Sequence, residues 1–153
     1  MNKIKVVKKD HYLTVGAAKP ISKGEIILKL QGTISASRDK YSLQIDEKKH
    51  LHPFSDDPKD ESSSFRFLNH SCSPNSYFDI PGMSLITLKN INENEEVVFH
   101  YCTTEYEMSS PFKCLCGSKK CLLEIKGFRY LPKEKKKELF SQLAPHLKKI
   151  SEN

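Results

Sequence analysis

Residues 66–78 read RFLNHSCSPNSYF, with aromatic and aliphatic side chains on either side of an Asn-His-Ser-Cys-Ser-Pro-Asn core. A plain strand has no need of the amides of Asn69 and Asn75, the imidazole of His70 or the thiol of Cys72. Pro74 cannot donate to a ladder at all. The segment is therefore irregular, and its polar groups are there to hold something.

The surroundings read as short strands broken by turns. EIILKLQGTI follows the Lys23-Gly24 turn as a largely apolar strand. In YSLQID, residues Tyr41, Leu43 and Ile45 share one face, and Phe65, Phe67 and Asn69 alternate in the same way. Pro81-Gly82 separates SYFDI from MSLITLKNI, which predicts a hairpin. VVFHYC reads as a further strand in which the period of two places Val97, Phe99 and Tyr101 on one face. HPFSDDPKDESSS is a loop by composition. Helix is predicted only late, where Pro132 suits a first helical position, Leu139, Leu143 and Leu147 recur every four residues, and Pro145 splits or kinks the run.

A chain of 153 residues with 37% hydrophobic and 29% charged side chains fits one ordinary soluble domain. No apolar run approaches a membrane span. The basic N-terminus lacks the hydrophobic stretch of a secretory signal, so a soluble intracellular setting, cytoplasmic or nuclear, is expected. Half of the net charge of +6 lies in residues 132–153, which carry six lysines against three glutamates. Lacking interleaved aromatics, this tail reads as a solvated helix face in preference to a nucleic-acid contact.

Five cysteines without a secretory signal point to reduced thiols and to metal binding, not to disulfides. Cys114, Cys116 and Cys121 fall within eight residues, and Gly117 lets the chain fold back after the second thiol. Zinc takes four ligands in a tetrahedron, so one more is required, and Cys72 and Cys102 are both candidates.

NHSCSPN (69–75), ENEEVVFHY (93–101) and CLCGSKKC (114–121) together resemble the SET-domain protein-lysine methyltransferases with their post-SET cysteine segment. The resemblance spans roughly residues 4–130. It implies a mainly β SET-domain fold, short sheets around a knot-like core, over residues 1–106. A post-SET zinc-binding segment would follow at 107–130 and a basic helical tail at 131–153. It further implies a methyltransferase that moves a methyl group from S-adenosylmethionine to a lysine of a protein substrate. Cys72 would join Cys114, Cys116 and Cys121 around one structural zinc ion. The Asn69 side chain would meet the aminocarboxylate end of the cofactor and the His70 backbone its adenine, with Leu13 and Tyr101 completing the cofactor site. Tyr101 matches the catalytic tyrosine, while Phe99 and Tyr41 would line the lysine channel. Phe99 stands where family members carry either phenylalanine or tyrosine, and phenylalanine there goes with di- or trimethylation. The family's opening Gly-x-Gly turn is replaced by Tyr12-Leu13-Thr14, and Cys-Arg-Gly by Cys121-Leu122-Leu123. The rival reading is a SET-like protein-binding module, catalytically weak and stabilised by zinc.

Overall fold

The fold is built from pairs and triplets of short strands, because turn formers interrupt the chain every few residues. The structure, a computed structural model, describes residues 2–151. Met1, Glu152 and Asn153, which belong to the expected SET and tail segments, lie outside the described residues. Strands β1 (Ile4–Lys9) and β2 (Tyr12–Ala17) form an antiparallel hairpin, in register from Ile4 opposite Ala17 to Lys9 opposite Tyr12. Its tight turn places Asp10 at φ 54°, a left-handed conformation that a short polar side chain tolerates.

β3 (Ile26–Lys29) was expected as one long strand through Ile34, but Gln31 and Gly32 break it, and β4 (Thr33–Ser35) joins a different sheet. β5 (Leu43–Asp46) and β6 (Lys49–His52) complete that second sheet in the order β4-β6-β5.

The run containing Phe65 and Phe67 is not extended. Residues Glu61–Phe67 form a 3-10 helix because Asp60 caps it, accepting from the Ser62 amide (3.1 Å) and from the hydroxyls of Ser62 and Ser63 (2.7 and 2.8 Å). Three consecutive serines supply local partners that outweigh the alternation of the aromatics. Only β7 (Asn69–His70) is extended beyond it.

β8 (Ser76–Asp79) and β9 (Ser84–Thr87) form the hairpin expected at Pro81-Gly82, and β3 pairs on the other side of β9. The strand expected at VVFHYC shrinks to β10 (Val98–Phe99), which runs parallel to β7 with Asn69 opposite Val98 and His70 opposite Phe99. The chain then tightens into a 3-10 turn at Tyr101–Thr103, because the His100 ring accepts the Cys102 amide at 3.2 Å.

β11 (Phe112–Lys113) and β12 (Glu124–Ile125) pair antiparallel and bracket the clustered cysteines. Helices α1 (Lys133–Glu138) and α2 (Pro145–Ser151) follow. Pro132 caps α1 and is not its first residue. The run expected to continue to Pro145 ends at Glu138 and passes through a 3-10 turn (Phe140–Gln142) before Pro145 opens α2. The tail is not wholly solvated: Leu139, Leu143 and Leu147 are buried, and so is Lys135, whose ammonium meets Glu138 at 3.3 Å. No helix among the described residues is long and apolar enough to cross a membrane.

Two apolar clusters result. One gathers the strands, including Val15, Leu51, Phe78, Leu85 and Val97. The other joins the cysteine segment to the helices through Ile125, Phe128 and Leu147. The Tyr101 ring packs against both, so it stands at their seam.

Leu123 holds φ at 67° with 71% of its surface exposed. A leucine in that region costs about 1–2 kcal/mol, and its exposure recovers little of that by packing. We expect Leu123→Gly to raise the unfolding free energy by about 0.5–1 kcal/mol, allowing for the larger entropy of the unfolded glycine chain. Denaturant melts of the two proteins check this; a destabilised variant would mean the Leu123 side chain packs usefully.

Candidate active site

The crossing of β7 and β10 is strapped by side chains from the opening motif. The Asn75 amide N–H donates to the Val98 carbonyl (3.3 Å), its Oδ1 accepts the Val98 amide (2.9 Å), and its Nδ2 donates to the Glu96 carbonyl (2.8 Å). The Ser76 hydroxyl donates to the Val98 carbonyl (2.8 Å) and the Ser71 amide to that of Phe99 (3.1 Å). A two-residue strand pair is thus held by five further hydrogen bonds, as a crossing with so short a ladder requires.

His70 links the two halves of the site. Its Nδ1 accepts the Tyr101 amide at 3.1 Å, and burial holds its pKa down to about 4, so the ring is neutral with its proton on Nε2. That Nε2 lies 3.3 Å from Cys72 Sγ and donates to it. The same imidazole therefore fixes the backbone at Tyr101 and supports a sulfur. His100, fully buried, packs edge-on to it at 4.6 Å and is held to about 3 by burial and then by His70 and Lys135.

Tyr101 donates its hydroxyl proton to the Leu68 carbonyl at 2.7 Å. Burial, with the charges of Glu105 and Glu96, pushes its pKa above the usual tyrosine value, so the phenol stays neutral. Phe99 lies 4.9 Å from the Tyr101 ring and 4.6 Å from Phe78. Phe112, from β11, closes on Tyr101 at 5.8 Å and on His70 at 5.9 Å.

These side chains open onto one cleft of ≈ 1180 Å³, which Leu13, Asn69, His70, Phe99 and Tyr101 all line. Tyr41 lines it too, but its ring is 38% exposed and carries the Arg66 guanidinium 3.7 Å from its centroid. Tyr12-Leu13-Thr14 form no turn but open strand β2, where Tyr12 and Leu13 are 46% and 37% exposed and Thr14 is buried.

The sulfurs of Cys72, Cys114, Cys116 and Cys121 lie within 4.8 Å of one another, with Cys72 and Cys114 4.0 Å apart. Zinc–sulfur bonds of about 2.3 Å in a tetrahedron demand edges of about 3.8 Å, so the donor set fits one zinc ion. The amides of Leu122 and Leu123 donate to Cys72 and Cys121, each at 3.4 Å, as thiolate ligands require. Gly117 takes φ 75° at the bend between the second and third thiols. Cys102 stands outside the set, and burial pushes its thiol up to about 12.

Sequence reasoning missed Phe112, Glu96, Thr14 and Glu105. Phe112 precedes the cysteine cluster by two residues, a position that could have drawn notice. Glu105 lines the cleft, accepts from the Gln44 amide (3.0 Å) and the Thr104 hydroxyl (2.6 Å), and is raised by burial to about 7. Because its folded pKa exceeds the unfolded one, the native state binds the extra proton, and stability falls as pH rises from about 4.5 through 7. Glu105→Gln keeps both acceptor contacts without a charge. We expect it to gain on the wild type between pH 5 and pH 8 by on the order of 1–2 kcal/mol, discounted for the water that reaches the group. Parallel melts across that range would contradict this if the difference between the two proteins stayed constant.

The SET-domain profile matches residues 13–102. The chain belongs to the SET-domain family. The cysteine segment lies beyond the matched residues. Among curated relatives, the methyltransferase flvH of Aspergillus flavus is 37% identical over 67 residues, which is 42% of this chain and 38% of flvH. The H3 lysine-36 specific histone-lysine N-methyltransferase of Gibberella zeae is 40% identical over 68 residues, 40% of this chain and 7% of that protein. The SET domain here thus matches well under half the length of either. The methyltransferase domain of human histone-lysine N-methyltransferase SETMAR superposes with a TM-score of 0.60 at 19% identity, covering 83% of this chain and 59% of that one. KRYPTONITE in complex with mCHG DNA and SAH gives 0.59 at 21% identity, covering 79% and 28%. These likenesses establish the fold.

Proposed function

We propose that this SET domain transfers a methyl group from S-adenosylmethionine to a lysine side chain of a protein, with one zinc ion bound by Cys72, Cys114, Cys116 and Cys121. The observation that carries the reading is the convergence of Asn69, Phe99 and Tyr101 on one cleft at the strapped β7–β10 crossing. Support also comes from the relatives' names and from structural neighbours solved with SAH, one of them with an H3(1–15) peptide.

The cleft is large enough for a cofactor and a side chain together. Asn69 and the His70 backbone would hold the cofactor, with Leu13 and Tyr101 beside them. The cofactor supplies a methyl group on a sulfonium, which a neutral amine displaces in line without metal or covalent help. A free lysine has a pKa near 10.4, leaving roughly one in 2,500 neutral at pH 7. The aromatic walls of Phe99 and Tyr101 lower that pKa by excluding water. The Tyr101 proton is committed to Leu68, so its oxygen faces the cleft as an acceptor that aims an amine N–H, and it needs no charge of its own. Positioning of this kind supplies much of the acceleration.

The test is labelled S-adenosylmethionine with a panel of basic proteins, read by intact mass. Transfer to lysine supports the reading, and no transfer to any member opposes it. Phe99 leaves room beside the amine, so products with two or three added methyl groups are expected. Phe99→Tyr should shift the products toward the singly methylated form. An unchanged pattern, with the wild type never passing one methyl, would remove Phe99 from this role.

A further inference from the structure

On the cleft wall, β2 and the segment before β10 meet Asn69 in a hydrogen-bond circuit of three side chains. Thr14, 2% exposed, donates its hydroxyl to Glu96 Oε2. Asn69 Nδ2 donates to Thr14 Oγ1 at 3.0 Å and to Glu96 Oε2 at 3.2 Å. The other Glu96 oxygen lies 3.5 Å from the Lys9 ammonium.

Proton counting fixes the amide. A carboxylate only accepts, so the Thr14 proton is spent on Glu96 and the hydroxyl has only acceptor capacity left. Both Asn69 partners are therefore acceptors, lying on the same side of its nitrogen, so the NH2 end of the amide must face them. Rotating the amide by half a turn would set its carbonyl against a carboxylate and against a hydroxyl with no proton to give. Asn69 Oδ1 has no partner among the described residues, and Asn69 lines the cleft. What the circuit presents to a ligand is an acceptor beside a carboxylate whose other oxygen is paired with Lys9.

The circuit is not needed to join its two segments. The main chain already does so, through Val97 N–H to the Val15 carbonyl (2.8 Å) and Ala17 N–H to that of Glu95 (2.9 Å).

We propose that Thr14 and Glu96 are positioning residues that lock the Asn69 amide with its oxygen toward the cleft, so that it accepts from the ammonium group of the bound cofactor. This rests on the cofactor reading above. It also assigns a use to Thr14, which stands where the resembling pattern has glycine. The carboxylate of the same ligand finds no donor in this circuit and must be held elsewhere.

Calorimetry on the zinc-loaded chain tests it, using S-adenosylhomocysteine and its analogue in which hydrogen replaces the amino group. The wild type should bind the parent compound at least tenfold more tightly than the analogue. Thr14→Val, close in shape and without the hydroxyl, should weaken the parent about tenfold while changing the analogue little, which narrows the gap. Thr14→Ser should restore it, and Glu96→Gln should narrow it severalfold. Melting temperatures certify that each variant is folded. Equal weakening of both ligands in Thr14→Val and Glu96→Gln, or no weakening of either, overturns the circuit's role. A wild type that binds neither compound overturns the cofactor reading itself, so the two failures are distinguishable.

Discussion

Removing zinc should unfold the C-terminal third of this chain. Four thiolates on one ion contribute on the order of 10–16 kcal/mol of binding energy, which rivals the roughly 5–15 kcal/mol total stability of a domain. Without the metal, the cysteine segment is held by the two-residue pairing of β11 with β12 and by the packing of Phe112 on Tyr101 and His70. Beneath it, Phe128, Leu131, Leu139 and Leu147 form an apolar cluster whose cover is that same segment. A chelator that strips the metal should therefore release these residues and lower the melting temperature by well over ten degrees, since about 1 kcal/mol corresponds to a few degrees at this size. Single substitutions divide the cysteines. Cys72→Ser should abolish stoichiometric zinc, because it removes the ligand that ties the loop to the β7–β10 crossing. Cys102→Ala should keep the full metal content and cost only about 1 kcal/mol for a small buried cavity. Metal analysis with thermal melts decides; zinc retained by Cys72→Ser and lost from Cys102→Ala would reverse the assignment.

The second large effect belongs to the phenol at the seam. Tyr101→Phe removes one buried hydrogen bond, to the Leu68 carbonyl, which is worth about 1 kcal/mol of stability. The ring contacts to Phe99, His70 and Phe112 survive the change. Folding and cofactor affinity should hardly move. Methyl transfer should fall about a hundredfold, because the amine loses the acceptor that aims it. Rates from labelled cofactor, set beside calorimetric affinities for S-adenosylhomocysteine, separate the two quantities. A variant that turns over at the wild-type rate would show that Tyr101 serves packing alone.

What could be read in advance depended on whether the signal was local. The three cysteines around Gly117, the turn at Pro81-Gly82, and the leucines at 139, 143 and 147 interrupted by Pro145 all carry their meaning within a few residues. The structure brings the cysteines together and turns the hairpin where such local rules put them. Of the three leucines, however, only Leu147 is helical, Leu139 capping α1 and Leu143 lying in the break before Pro145. The β7–β10 pair could not be seen that way. Two residues have no period, and their partners stand 29 positions apart, at Asn69 and Val98. Alternation misled at Phe65 and Phe67, where Asp60 and the serines after it favour a 3-10 turn. The motif pointed to Asn69, but the hydroxyl and carboxylate that orient it come from Thr14 and Glu96, 55 and 27 residues away. Phe112 joined the aromatic cluster for the same reason: only the folded cysteine loop carries it back to Tyr101 and His70. His70 was singled out for its backbone, yet its ring joins the Tyr101 amide to Cys72.

The proposed site is one passage between the strapped strand crossing and a loop that zinc would pin, with the cofactor to enter at one end and a lysine at the other. The most direct measurement is a calorimetric titration of S-adenosylhomocysteine into the zinc-loaded wild-type chain. The expected result is saturable heat at one site per chain, lost when the metal is removed. A flat titration from protein carrying its full zinc would contradict the account and leave the SET-like binding module as the better reading.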